Sequence, residues 1–173
     1  LMLSEAIKTS AIEGEDLDRE SVRSSLLSLI TSDTLPENSD QKAAGAASLL
    51  VDVRKNWHTS LTNERLGKWQ SMAVPEQRYT SILRGAYRND PSPMQIVSGP
   101  YGREKVHYEA PPATQVPDEM PRLIDWYNQT SPLNGDKTIH GIARAGIAHL
   151  WFEVIHPSDD GNGRVGRAIA DRA

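Results

Sequence analysis

Apolar residues recur at helical spacing through most of this chain, and segments rich in proline, glycine or polar residues separate these recurrences. Such spacing is typical of amphipathic helices that bury one face. The helices predicted in this way cover 4–12, a segment that begins at Asp18, 40–58, a segment that begins at Thr62, 118–129, 138–154 and a segment opened by Arg164. Gly14 is expected to end the first helix, and 34–39 and 88–93 read as loops.

The same periodicity predicts which side chains face the core. In the first four helices they are Leu3, Ile7, Ala11, Val22, Leu26, Leu29, Ile30, Ala43, Ala47, Leu50, Val51, Trp57, Leu66, Trp69 and either Met72 or Ala73. In the helix over 138–154, which leads to His156, they are Ile142, Ile147, Leu150 and Val154.

Two short runs, 94–98 and 105–108, have strand-like composition and are separated by Gly99-Pro100-Tyr101-Gly102. A glycine- and proline-rich turn between two such runs predicts a β-hairpin. The fold class predicted from the whole pattern is therefore mainly α, a helical bundle with one hairpin.

Length and composition restrict the classes of function. A chain of 173 residues is expected to form one domain with its own core. Its formal net charge of −4 gives no general attraction to nucleic acid or to an anionic membrane. We find no apolar run long enough for a membrane span and no signal peptide, and the absence of cysteine fits a reducing cytoplasm. Leu1 and Ala173 suggest a segment cut from a longer protein.

The run from His156 to Arg167 concentrates the chemistry of the chain. A neutral imidazole accepts a proton near pH 7, and the carboxylate of Asp160 is a typical Mg²⁺ ligand. The Gly161-Asn162-Gly163 turn lets backbone N–H groups approach phosphates at the start of a helix. Arg164 and Arg167, three residues apart, lie on neighbouring turns and can each bind a phosphate with two N–H groups.

Other readings of this run fail. Gly161 to Gly166 matches the letters of a dinucleotide-binding fingerprint, but a helix precedes it and the chain lacks the later acidic residue. An EF-hand would need an oxygen ligand at Arg164. A Walker A sequence does not occur. A glycine-rich turn between helices with unrelated surface charges remains as the structural alternative.

The run resembles the signature of the Fic (filamentation induced by cAMP) family, His-Pro-Phe-x-Asp/Glu-Gly-Asn-Gly-Arg-x-x-Arg. The matching positions are His156, Pro157, Asp160, Gly161, Asn162, Gly163, Arg164 and Arg167. The departure is Ser158, which stands where the family usually has Phe and cannot fill the same space in the core. The resemblance implies the Fic fold, in which a β-hairpin flap overhangs an active-site loop between two central helices.

The resemblance also implies roles for individual residues. His156 would be the general base, Asp160 would bind Mg²⁺, and Gly161, Asn162 and Gly163 would form the anion cradle. Arg164 would hold the β-phosphate region of ATP, and Arg167 the γ-phosphate. The flap would contribute the remaining residues: Gln95, Ile96 and Val97 for docking of the target protein, and Val97, Ser98 and Gly99 for contact with the nucleotide.

A second pattern, Thr9-Ser10-Ala11-Ile12-Glu13-Gly14, resembles the family's inhibitory motif, Ser/Thr-x-x-x-Glu-Gly/Asn. This resemblance implies that Glu13 pairs with Arg167, so that a carboxylate and a γ-phosphate compete for one guanidinium group. We therefore expect residues 1–34 to hold the inhibitory helix and the helix after it. Residues 35–173 would form the Fic domain, truncated at its C-terminus.

The leading hypothesis is an autoinhibited, bacterial-type, cytoplasmic protein adenylyltransferase. It would transfer AMP from ATP to a Ser, Thr or Tyr hydroxyl of a target protein. Two alternatives stay open: a hydrolase that removes AMP by using Glu13, and a catalytically weak nucleotide-binding regulatory module. The sequence names no target, gives this segment no nucleic-acid role, and leaves homodimerisation open. Asp159 is expected to be exposed and His149 to be structural.

Overall fold

Helices account for most of the residues that the computed structural model describes, which are 1–76, 81–134 and 139–173. They are α1 (Met2–Ile12), α2 (Arg19–Thr31), α3 (Gln41–Lys55), α4 (Asn63–Ala73), α5 (Val116–Gln129), α6 (Gly141–Ile155) and α7 (Asn162–Arg172). The mainly helical fold class is confirmed. The start that we predicted for α6 at residue 138 lies outside the described residues.

Side-chain caps fix where three of these helices begin. The carboxylate of Asp18 accepts the N–H of Ser21 at 2.7 Å, and that of Asp40 accepts the N–H of Ala43 at 2.8 Å. The Thr62 hydroxyl caps α4 in the same way. Each cap pairs a backbone donor that has no acceptor inside its own helix, which is why short polar residues mark these starts in the sequence.

Two clusters of buried side chains hold the helices together. The larger cluster contains side chains from all five helices α3, α4, α5, α6 and α7, and at its centre are Trp69, Met120, Leu123, Phe152 and Ile169. The smaller packs α1 and α2 against α3 through Ala6, Val22, Leu26, Ala47 and Leu50. The N-terminal helices therefore rest on α3, and α3 also contacts the core that carries the motif.

Several predictions of buried residues were wrong. The side chains found exposed are Ile30, Trp57, Ile142, Ile147, Leu150 and, in the last turn of α1, Ala11.

Each error has a local cause. Trp57 lies beyond the end of α3, and Ile30 is one residue, or about 100° of helix, past the buried Leu29. On α6 apolar residues surround the whole helix, so periodicity could not select a face. The face that packs inward instead carries Ala148, Phe152 and Ile155.

The predicted hairpin is present, with strands β1 (Gln95–Ser98) and β2 (Lys105–Glu109). The strands pair antiparallel, with a register shift between Ile96 and Val97. The Tyr108 hydroxyl donates to the Val154 carbonyl at 2.8 Å and ties the hairpin to the end of α6. Among the described residues, none of the helices is long and apolar enough to span a lipid bilayer.

Candidate active site

The motif loop connects the C-terminus of α6 to the N-terminus of α7. His156 ends α6 in a left-handed conformation (φ 50°), and Gly161 begins the entry to α7 at φ 84°. A side chain at Gly161 would also collide with Val74, since a β-carbon there would lie 2.8 Å from Val74 Cγ2. Glycine is therefore required at this position both for its backbone angle and for its small size.

Hydrogen bonds from polar side chains hold this loop in shape and attach it to α4. The Asn162 amide donates to the Ser158 carbonyl at 2.7 Å and accepts the Ser158 N–H at 3.0 Å. Buried Gln70 donates to the Asp160 carbonyl at 3.1 Å and accepts the Gly85 N–H at 2.6 Å. We expected Asn162 in the anion cradle. Its side chain instead holds the loop in shape, so its backbone N–H is the group left for binding an anion.

Asp159 is not the exposed residue that we predicted. It is half-buried, and its carboxylate accepts the N–H of Leu83 at 2.9 Å. Sequence patterns do not indicate this contact, because the partner is a backbone group that lies 76 residues away in the chain.

Arg88 clamps the same loop from the segment that precedes the hairpin. Its side chain is 3 % exposed, and its Nε donates to the His156 carbonyl at 2.7 Å. The Nη2 group donates to the carbonyls of Ile155 and Pro111, and the Arg88 N–H donates to Pro157. Arg88 thereby satisfies carbonyls at the end of α6, where cations are favoured.

The burial of Arg88 has an electrostatic cost. Burial lowers the pKa of its guanidinium group, and the nearby Asp159 carboxylate and Tyr108 hydroxyl oppose that change. Sequence analysis missed both Arg88 and Gln70, because neither belongs to a motif and a buried arginine has no characteristic spacing.

The first turn of α7 offers an anion site beside the Asp160 carboxylate, which Arg164 Nη2 contacts at 3.4 Å. The first N–H groups of a helix have no acceptor inside it and carry the positive end of the helix dipole. Asp160, with a side chain 47 % exposed, accepts the Gly161 N–H at 2.5 Å. An exposed carboxylate fits Mg²⁺, which takes few protein ligands and completes its shell with phosphate and water. In the described part of the chain, no cluster of three His, Cys, Asp or Glu could hold a metal by itself.

Glu13 and Arg167 form an ion pair at this helix start. The Arg167 Nη2 donates to Glu13 Oε1 at 2.6 Å, and both side chains are partly exposed. Thr9, the first residue of the second pattern, also accepts hydrogen bonds from Arg167 through its hydroxyl and its carbonyl. A β-carbon at Gly163 would lie 3.0 Å from Glu13 Cδ, so this glycine leaves the room that the carboxylate occupies.

A second carboxylate, which the sequence did not single out, covers the other motif arginine. Glu15 accepts a hydrogen bond from Arg164 at 2.7 Å and also pairs with Lys42 at 3.1 Å. The guanidinium group of Arg164 is buried and donates to the Ala73 carbonyl as well. Arg164 is thus bound by three protein acceptors, which are Glu15, the Ala73 carbonyl and Asp160. The residues at the end of α1 and just after it cover both motif arginines.

The flap meets the motif at His156. A cavity of about 180 Å³ separates them, and it is lined by Met94, Gln95, Ile96, Tyr108, Ala110, Glu153 and His156. Gln95 and Ile96 therefore line the same cavity as the imidazole, and their docking role stays a prediction. Val97 does not line this cavity, and Ser98 bonds His107 across the hairpin at 2.6 Å. The structure thus brings together only part of the predicted flap residues.

Ser158 borders a second cavity, of about 280 Å³. Its walls include the apolar side chains of Leu66, Met120, Phe152 and Val165, with Tyr87 at one side. Burial raises the pKa of the Tyr87 hydroxyl to about 12, an effect that the charge of Glu64 reinforces. Because Ser158 lines this cavity, a larger side chain at position 158 would have the cavity beside it.

We expect Ser158→Phe to stabilise the protein by about 1–2 kcal/mol. A buried aromatic ring removes roughly 150 Å² of apolar surface from water, at about 25 cal/mol per Å², and part of this gain is offset by imperfect packing. Thermal unfolding followed by circular dichroism should show a rise of about 2–8 °C. Ser158→Ala, which removes the hydroxyl without filling the cavity, is the matched control. A lower melting temperature for Ser158→Phe than for Ser158→Ala would contradict the prediction.

The fold and this site define a Fic-type domain, and the comparisons with known proteins agree. A family model described as "Fic/DOC family" matches residues 51–173, and the chain therefore belongs to this family, as its motif predicted. A second model, "Domain of unknown function (DUF4172)", matches residues 1–30.

Two named relatives and one solved structure resemble the chain. A probable protein adenylyltransferase of Aquifex aeolicus is 40% identical over 62 residues, which cover 36% of this chain and 18% of that protein. Protein adenylyltransferase fic-1 of Caenorhabditis elegans is 41% identical over 54 residues, covering 31% and 10%. The structure of a Fic domain-containing signalling protein from Bacteroides thetaiotaomicron superposes with a TM-score of 0.73 at 18% identity, covering 99% of this chain and 61% of that one. At this identity the structural likeness shows the fold alone.

Proposed function

We propose that this protein is a protein adenylyltransferase that transfers AMP from ATP to a Ser, Thr or Tyr hydroxyl of another protein, and that Glu13 inhibits it. The observation that carries the proposal is the Glu13–Arg167 ion pair at 2.6 Å. It lies near the N-terminus of α7, which is the kind of helix end that binds phosphate, and beside the loop that begins at His156. The names of the two relatives, both protein adenylyltransferases, support the reaction class.

The triphosphate of ATP would lie on the N-terminus of α7. Backbone N–H groups of Asn162 and Gly163, together with the helix dipole, would bind its oxygens. Arg167 would bind the terminal phosphate once Glu13 leaves. Mg²⁺ held by Asp160 would supply positive charge beside the α- and β-phosphates. Arg164 would mainly keep the loop in place through Ala73, and it reaches phosphate only if Glu15 releases it.

His156 would act as the general base of the transfer. The target hydroxyl attacks the α-phosphorus, a new oxygen–phosphorus bond forms, and the bond from the α-phosphorus to the bridging oxygen breaks. The hydroxyl proton moves to the imidazole, and pyrophosphate leaves with the bonding electrons. A positioned base of this kind contributes about 10²–10⁴ in rate. The imidazole lines the cavity beneath the flap, where a target side chain could enter.

The flap would align the target segment by adding a strand. In the described residues β1 pairs only with β2, so its outer edge has backbone groups that an extended peptide can bond. Gln95 and Ile96 lie nearest to His156 and would set the position of the target hydroxyl. We place Val97, Ser98 and Gly99 farther along this edge, where they would contact the nucleotide or the target.

Inhibition would come from competition for Arg167. A γ-phosphate and the Glu13 carboxylate require the same N–H groups, so the ion pair excludes the productive pose of ATP. Residues 1–34 would form the inhibitory unit, which contains α1 and α2. This unit packs against α3 through the smaller cluster of buried side chains. Residues 35–173 would form the transferase domain. Movement of α1 would break the contacts of Thr9 and Glu13 with Arg167 together.

A hydrolase that removes AMP is the second candidate, because the Glu13 carboxylate lies beside the anion site at Gly163. There it could orient a water molecule toward a bound AMP ester. The two candidates predict opposite effects of one substitution: Glu13→Gly would raise AMP addition and lower AMP removal.

We expect Glu13→Gly to increase incorporation of AMP at least about tenfold. A charge-assisted hydrogen bond contributes about 1.5–3 kcal/mol, and its partial exposure here reduces that toward the 1.4 kcal/mol of a tenfold effect. Incorporation is measured with α-labelled ATP and Mg²⁺, both into the chain itself and into proteins of a cell lysate. Intact-mass spectrometry then identifies one AMP-sized increment.

Glu37→Gly is the matched control, since it removes an exposed loop glutamate of the same charge and is expected to leave incorporation unchanged. If Glu13→Gly binds ATP but labels neither itself nor any lysate protein, the transferase proposal is wrong and the nucleotide-binding module takes its place. If labelling is already maximal in the unmodified chain, the transferase stands and the inhibitory role of Glu13 is lost.

A further inference from the structure

A carboxylate lies between two imidazoles on the face of α6 that reaches the active-site loop. Glu153 Oε1 is 3.5 Å from His149 Nε2, and Glu153 Oε2 is 3.9 Å from His156 Nδ1. The three residues are spaced so that they follow one another along the helix surface. Neither the Fic signature nor the inhibitory pattern includes Glu153 or His149.

The environment of Glu153 is not that of a solvent-exposed glutamate. Its Oε1 atom is buried and accepts no hydrogen bond from the residues that the structure describes. A buried oxygen without a partner is unfavourable, and the adjacent imidazole of His149 can offset this cost when it donates. The carboxylate therefore lies between the two rings with one of its oxygens buried.

The facing helix makes room for this group. A β-carbon at Gly166 of α7 would contact Glu153 Oε1 and would lie 2.8 Å from His149 Cδ2. Alanine in a helix interior is favoured over glycine, so glycine here is unfavourable for the helix itself. A larger residue at position 166 would displace the Glu153 carboxylate and the His149 ring from the places that they occupy.

We propose that Glu153 is a positioning residue for His156. Its carboxylate would accept a hydrogen bond from the Nδ1–H group of His156, which would leave Nε2 of the same ring unprotonated and facing the cavity beneath the flap. A carboxylate bonded to one ring nitrogen fixes both the tautomer and the orientation of an imidazole. The gap of 3.9 Å is about 1 Å longer than such a bond, and catalytic hydrogen bonds commonly shorten when the substrate binds. The inference rests on the proposed role of His156 as the base.

Among the described residues that line the cavity with His156, Glu153 is the one with a carboxylate. The two other polar side chains there have partners of their own: the Tyr108 hydroxyl donates to the Val154 carbonyl, and the Gln95 amide donates to Glu109 at 2.6 Å. The backbone carbonyl of His156 is bound by Arg88, which fixes the main chain but leaves the ring free to rotate. Glu153 is thus the group that sets the ring.

The test is the tautomer of His156, read from ¹⁵N shifts of the ring nitrogens in uniformly labelled full chain. The five histidines are assigned by single replacements with glutamine. In the unmodified chain we expect the proton of neutral His156 on Nδ1. In Glu153→Leu we expect a shift toward the Nε2–H form that a free histidine favours. Glu153→Gln keeps an acceptor oxygen at the same place and should keep the Nδ1–H form.

Gly166→Ala is a second, independent variant. It improves helix propensity but displaces Glu153 and His149, so the tautomer should shift as in Glu153→Leu although α7 is not destabilised by its own sequence. An unmodified chain with Nε2–H at His156, or a Glu153→Leu chain with an unchanged tautomer, would overturn the proposal. If one of the two variants fails to fold, the other still tests the proposal. The tautomer of His156 in the unmodified chain tests it without any substitution of Glu153.

Kinetics provide the functional readout in a Glu13→Gly background. Glu153→Leu should lower kcat about 10–100-fold, as expected for loss of a residue that orients a catalytic group, with little change in the KM for ATP. Glu153→Gln should recover most of this loss. An equal loss in both variants would contradict the positioning role. If Glu13→Gly transfers no AMP while the tautomer responds as expected, the proposed function fails and the arrangement of Glu153 and His156 still stands.

Discussion

Replacement of His156 by asparagine, in a chain that also carries Glu13→Gly, is expected to lower the rate of AMP transfer about 10²–10⁴-fold. The substitution removes the group that would accept the hydroxyl proton. Asparagine tolerates the left-handed backbone that this position adopts at φ 50°, so the loop should keep its shape. The His156 carbonyl, which Arg88 binds, is also retained.

Two controls separate a chemical loss from a structural one. ATP affinity, measured by calorimetry, should change less than about twofold, because the imidazole is not among the proposed phosphate-binding groups. His58→Asn changes an exposed histidine and should leave the rate intact. Transfer by the His156→Asn chain at the full Glu13→Gly rate would remove His156 from the mechanism.

Replacement of Arg88 by methionine is expected to lower the free energy of unfolding by about 2–4 kcal/mol. Methionine fills a similar volume but donates no hydrogen bond to the carbonyls of Ile155, His156 and Pro111. Hydrogen bonds from a charged group contribute about 1.5–3 kcal/mol each, and relief of the burial of the guanidinium charge offsets part of the loss. Urea unfolding followed by fluorescence measures the difference.

The exposed Arg122 provides the matched control, since its side chain forms a surface ion pair with Glu119, three residues away. Arg122→Met should change stability by no more than about 0.5 kcal/mol. Arg88→Lys keeps the charge but presents a single donor point, so we expect an intermediate loss. Equal stability of Arg88→Met and Arg122→Met would show that the clamp on the loop contributes nothing. AMP transfer should also fall in Arg88→Met, because the main chain of His156 loses its support.

The two carboxylates of the N-terminal segment, Glu13 and Glu15, pair with arginines that differ in their exposure. Glu13 meets a guanidinium group that is partly exposed, whereas Glu15 meets Arg164, which is 8 % exposed and also bound to the Ala73 carbonyl. Release of α1 would free Arg167 for a phosphate without disturbing the Ala73 contact. Under the proposed function, this difference favours Arg167 as the residue for which ATP and Glu13 would compete.

The order of the elements and the content of the motif follow from the sequence itself. The caps at Asp18, Asp40 and Thr62 are local, because each accepts an N–H three residues further on. The chemistry of residues 156–167 is likewise contained in one short run, so resemblance to a family signature was enough to predict the family. The hairpin was predicted from the strand-like composition of 94–98 and 105–108 around a glycine- and proline-rich turn. Local spacing determined these features before any long-range contact was known.

Tertiary structure decided the features that depend on partners far along the chain. The inner face of α6 is one, because a helix that is apolar on all sides takes its orientation from the neighbours against which it packs. The clamp by Arg88 and the cover of Arg164 by Glu15 are others, since 68 residues separate Arg88 from His156 and 149 separate Glu15 from Arg164. A charged side chain has no periodic signature for a distant carbonyl or guanidinium group, and only the folded chain brings such pairs together.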